Sequence, residues 1–164
     1  MTSAPILDTS VQRAHEWLHE IGHGLGFDNE RAAYAALRAT LHAVRDRLPV
    51  ELVAHFGAGL PTLVRGIYYD GWHPSAARLK AAHAEDFADS LRRELKGHNE
   101  LQHVEKVASQ VLHVVSHELD PGQIDHVLDA LPKLGDLSRA KLEKWLREKA
   151  EEILKSDGAT EANG

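Results

Sequence analysis

Two stretches of this chain repeat one another. TLHAVRDRLPVELVAHFGAGLPTL, residues 40–63, and VLHVVSHELDPGQIDHVLDALPKL, residues 111–134, align at an offset of 71. Leu41/Leu112, His42/His113, Val44/Val115, Leu48/Leu119, His55/His126, Leu60/Leu131, Pro61/Pro132 and Leu63/Leu134 match. Upstream, Trp17, Ile21 and Leu25 fall on Phe87, Leu91 and Leu95 at an offset of 70. The unit is too long, and has too few copies, for a solenoid array. It predicts two pseudo-equivalent halves of about 70 residues, each small enough that they share one core rather than fold apart.

Within each half the apolar residues recur at three and four, the spacing of a helix face. Val11, Ala14, Leu18, Ile21 and Leu25 make one stripe. Residues 32–47 make a second, with Ala36, Leu37, Leu41, Val44 and Leu48 inward and Asp28 or Asn29 as N-cap. Pro49 opens a third helix, which Gly57, Gly59 and Pro61 break or reset before Leu63, Val64 and Ile67. Asp70-Gly71-Trp72-His73-Pro74 reads as a turn-rich connection, with Gly66 and Gly71 allowing turn conformations. One helix is expected from Ser75 through Leu79, Phe87, Leu91 and Leu95, then one over 101–119, one opened by Pro121 and one capped by Ser138. The last turns Leu142, Trp145, Leu146, Ile153 and Leu154 inward.

No convincing strand emerges. The expected fold is all-α: a helical bundle of about seven helices in a single domain over residues 1–156. It consists of two pseudo-repeated three-helix units, 8–70 and 76–135, plus a C-terminal helix over 138–156. The polar tail 157–164 is expected to be disordered.

Charge narrows the partners. Residues 1–82 carry 8 Lys/Arg against 8 Asp/Glu, and residues 83–164 carry 11 against 17, so the whole net charge of −6 sits in the second half. That argues against nucleic acid as the main partner. With no cysteine there is no disulfide framework and no thiolate metal site, which fits a reducing cytoplasm. No signal peptide or membrane span stands out, and no Gly-rich phosphate loop calls for a cofactor.

One motif points elsewhere. His19-Glu20-Ile21-Gly22-His23 spells H-E-x-x-H, a second copy over residues 15–19 overlaps it, and Gly26 falls where the long form of the motif has its glycine. In zinc proteases the two histidines grip the metal from one helix face and the glutamate activates its water. Here position 29, where the third ligand of the long form falls, is Asn29, and no methionine except Met1 could supply a methionine turn. On a wheel of about 100° per residue, the apolar stripe centres near ~310° and His15, His19 and His23 lie roughly 130° away. The histidines should face solvent. A zinc-dependent hydrolase using the motif at 19–23 (His19, Glu20 and His23), with His15, His19 and His23 as candidate metal ligands, is therefore the alternative reading. A pH-responsive module using the twelve histidines is a further one.

A longer pattern covers more of the chain. LRATLHAVRDRLPVELVAHFGAGLPTLVRGIYYDGW, residues 37–72, resembles the bacterial family called domain of unknown function 2267. The core of that family runs approximately L-R-A-V-L-H-A-L-R-D-R-L-P, then a helix, then Q-L-P-x-L-x-R-G-x-Y-Y-E-G-W. Leu37, Arg38, Leu41, His42, Arg45, Asp46, Arg47, Leu48 and Pro49 supply the first part. Leu60, Pro61, Arg65, Gly66, Tyr68, Tyr69, Gly71 and Trp72 supply the second, and Gly59 stands where the family has glutamine. The resemblance extends weakly over residues 10–135. It implies a small helical protein with no established activity, often stress-associated.

Arg38, Arg45, Arg47 and Arg65 concentrate positive charge here, with Asp46 between two of them. Beside Tyr68, Tyr69 and Trp72 they suit an anion or carboxylate site. The plainer reading pairs Asp46 with a neighbouring arginine, uses Arg65 to tie the RGIYYDGW turn to the body, and plugs the core with Trp72. The candidate binding residues are Arg38, Arg45, Asp46, Arg65, Tyr69 and Trp72. His42 and His113, beside apolar neighbours, read as satisfied and partly buried. The expectation is a non-enzymatic interaction or ligand-binding protein with a protein or small-molecule partner.

Overall fold

In the computed structural model, which describes residues 4–117 apart from the side chains of 83 and 84, the chain winds around one helix, α2 (Glu30–Arg45). The Asn29 side chain accepts from Ala32 N–H at 3.2 Å and so caps its first turn. Ala32, Ala33, Ala36, Leu37, Leu41 and Val44 are buried along it. Small residues on several sides let neighbours approach from more than one direction. They are α1 (Pro5–Leu25), α4 (Thr62–Tyr69), α6 (Phe87–Glu94) and α7 (Val104–Ser116). Helix α3 (Val50–Ala58) packs on α4, while α5 (Ala76–Ala84) packs extensively on no other described helix. A 3-10 turn, Asn99–Leu101, leads into α7. The described residues thus form the all-α helical bundle that the periodicity predicts, with seven α-helices and no strand. None of these helices is long and apolar enough to cross a membrane.

Three sequence expectations are corrected. Val11 was placed on the buried stripe of α1, yet it is exposed along with Ile6 and Leu7. The buried residues of α1 begin at Trp17 and continue through Ile21 and Gly22. The helix ends where Gly26 turns left-handed at φ 84°, bonding back to Gly22 and His23 carbonyls. The single helix expected from Ser75 through Leu95 is two helices, α5 and α6. Asp86 makes the break, its carboxylate accepting from Ala88 and Asp89 N–H to start α6 afresh. Gly66 lies inside α4 rather than in a turn.

The eight buried residues of α7 run from Val104 to Ser116. At an offset of 71 each falls on a buried residue of α2. The rest of the second repeat unit, the helices expected from Pro121 and Ser138, and the tail 157–164 lie outside the described residues.

Candidate functional site

The polar chemistry of the bundle gathers where α2 ends and α4 ends. The last carbonyls of α4 retain acceptor capacity beyond their backbone partners. His42 and Arg45, three apart on one face of α2, reach them. His42 Nε2 donates to Ile67 O at 2.7 Å, and Arg45 Nη1 donates to Tyr68 O and Asp70 O, both at 2.8 Å. Arg45 Nε donates to Asp46 Oδ1 at 2.8 Å. The Arg45 side chain is 3% exposed, so its charge is neutralised inside the protein by a carboxylate and helix-end carbonyls. Burial pushes the His42 imidazole below its ordinary 6.5, outweighing the bond to Ile67 O, and the Arg45 and Arg38 charges add to the effect.

Arg65 does for α3 what Arg45 does for α4. Its Nε donates to Gly57 O, and its Nη2 donates to Ala58 O and Leu60 O. The expectation that Arg65 ties the RGIYYDGW turn to the body is thereby corrected: it clasps the end of α3, and Arg45 holds the turn. Arg47, also buried, donates to Ala43 O and Glu85 O, with its guanidinium 5.4 Å from the Phe87 ring centre. Burial lowers its affinity for the proton, while Glu85, Asp46 and Asp86 oppose that shift. Phe56, Tyr68, Tyr69 and Trp72 form a chain of ring contacts 4.8–5.7 Å apart. Tyr68 donates to Val53 O at 2.8 Å. Burial, reinforced by Tyr69, raises its pKa so far that the hydroxyl stays a donor.

Beside this frame lies a cleft of 690 Å³. Its walls are the outer end of α2, the 46–49 turn with the start of α3, the 70–82 stretch and parts of α6. Of the six candidate residues the cleft brings together Arg38, Arg45, Asp46 and Trp72, and it leaves Arg65 and Tyr69 out. Arg38 pairs with Asp70 at 3.0 Å, and Arg93 pairs with the Glu85 carboxylate, so the walls carry ion pairs rather than one sign of charge. Both serines of the lining bond to backbone groups. Ser75 caps α5 by accepting from Arg78 N–H, and Ser90 donates to Phe87 O. Arg47 stands in the arginine cluster that the sequence shows, but sequence reasoning did not connect His42, Asp70 and Glu85 with this region. The available signal was a pair of polar residues, His42 and Arg45, spaced on one face of an otherwise apolar helix.

The histidines of the H-E-x-x-H words lie elsewhere. His15, His19 and His23 are exposed on α1. His15 pairs with Glu30 at 2.5 Å, and the His19 and His23 rings stack at 6.2 Å. Asn29 is the cap of α2 and donates to Glu100, a structural duty rather than a ligand's. Among the described residues no three His, Asp or Glu side chains are grouped to hold a metal ion.

Fold and site together define a class: an all-α bundle whose buried arginines clasp helix ends around an ion-paired cleft. The chain matches the model of the family described as "Uncharacterized conserved protein (DUF2267)" over residues 14–137, and it belongs to that family. No curated protein matches it.

Proposed function

We propose that the protein is a non-enzymatic binding module that takes a small polar ligand into the cleft beside Arg38, Asp70 and Trp72. The observation that carries this reading is the cleft itself. Its 690 Å³ lies in the range of about 300–1,000 Å³ common for ligand pockets. Its exposed ion pairs offer donors and acceptors that a zwitterionic or carboxylate-bearing aromatic compound can exchange with, and Trp72 offers a ring to stack on. Its serines and His42 hold backbone atoms, which favours binding over chemistry. A cytoplasmic location, a stress association and a single folding unit over residues 1–156 belong to the same reading; protein levels that stay flat under stress would remove the second.

The test is a ligand-observed NMR screen with zwitterionic and aromatic-carboxylate fragments, followed by titration of Arg38→Ala and Trp72→Ala. Hits should weaken about tenfold in each variant, a loss near 1.4 kcal/mol. Hits that bind both variants undiminished place the binding surface elsewhere.

A further inference from the structure

We propose that α5, with the His73–Ser75 segment leading into it, is a lid that opens and closes this cleft. What the lid admits rests on the binding reading above; its motion rests on packing alone.

The sequence of α5, AARLKAAHA, has one large apolar residue, Leu79. Alanine keeps such a segment helical, but it supplies little surface to bury. No described side chain of α5 is buried, and the helix joins none of the extensive packings that hold the other helices together. A nine-residue helix with so little packing against the described residues is marginal in water. Yet Ala76, Leu79 and Ala82 form one wall of the cleft. The wall least supported by the core is therefore the wall that closes the site.

Both ends of this segment are fixed. On the entering side Arg45 holds Tyr68 O and Asp70 O, and Trp72 rests against the Tyr69 ring. On the leaving side Arg47 holds Glu85 O, Arg93 pairs with the Glu85 carboxylate, and Asp86 caps α6. Motion is confined to residues 73–84. Among the described residues, the side-chain tie back to the frame is Arg78 Nη1 to Gly71 O at 3.4 Å, a long and weak hydrogen bond. A segment with fixed ends, little burial and a weak latch opens locally without unfolding the rest.

The chain has no cysteine, so two introduced thiols report without background. Spin labels at Ala81→Cys on the lid and Glu51→Cys on the opposite wall are compared with a frame pair, Glu51→Cys and Lys106→Cys. Ala77→Cys replaces Ala81→Cys should that variant misfold. Double electron–electron resonance should give a two-peaked lid distribution, or one at least about twice as broad as the frame pair's. A lid distribution as narrow and single as the frame pair's overturns the proposal. The measurement uses the unliganded protein. A rigid lid therefore leaves the binding reading standing, and a failed fragment screen leaves the lid standing.

Discussion

Arg45 is the most buried charge of the candidate set, and it has three defined partners. One of them was legible in the sequence, because Asp46 is its neighbour and opposite in charge. The others were not. Tyr68 O and Asp70 O are backbone atoms, and a carbonyl leaves no mark in the residue alphabet. The same holds for Arg65, whose partners are all carbonyls. His42 shares this frame and gives it a pH dependence. Its pKa in the folded protein lies below 6.5, so the unfolded chain takes up a proton first as pH falls. Its contribution is complete above 6.5 and is lost progressively as pH drops below 6.5 toward the lowered folded value. His42→Gln keeps a donor for Ile67 O without a titrating group. The prediction is that urea midpoints of the variant fall less than those of the wild type between neutral pH and roughly pH 5. Parallel slopes would show that His42 does not titrate against folding.

At the scale of elements, periodicity located helices well and ends poorly. Helix α2 was legible because Asn29, a capping residue, precedes an uninterrupted apolar pattern. The break between α5 and α6 was hidden because Leu79, Phe87, Leu91 and Leu95 keep helical spacing across it. Val11 shows the opposite failure: it continues the pattern of α1 beyond the turns that have a partner to bury against. Two predictions follow this division of α1. Trp17→Ala should cost about 3–5 kcal/mol in chemical denaturation, whereas Leu7→Ser should stay within about 0.5 kcal/mol. Equal effects would mean that the first turns of α1 are as well packed as the rest. Helix α3 packs closely on α4 at Gly57, where an added Cβ would lie 2.5 Å from Tyr69 Oη and 2.8 Å from Cε2. Gly57→Ala should therefore cost about 1–3 kcal/mol and displace the Tyr69 ring; an unperturbed Tyr69 environment in near-ultraviolet circular dichroism would contradict that close approach.

For the whole molecule, the family signature over residues 37–72 is a frame, and the cleft it borders is the surface proposed to bind ligand. The cleft was not legible, because its walls come from the end of α2, the 70–82 stretch and α6, which no local pattern joins. The H-E-x-x-H words show the reverse: the short pattern is complete in the sequence, but its histidines face solvent, as their wheel position predicts, and Asn29, where the long form has its third ligand, caps a helix. The central claim is that Arg45 builds the frame while Arg38, on the cleft wall, does not. Urea unfolding of the wild type, Arg45→Ala and Arg38→Ala tests it directly. Removing Arg45 strands buried carbonyls and should cost about 3 kcal/mol or more, while removing the exposed Arg38–Asp70 pair should cost less than about 1 kcal/mol. Equal losses in the two variants, or a larger loss for Arg38→Ala, would contradict the account.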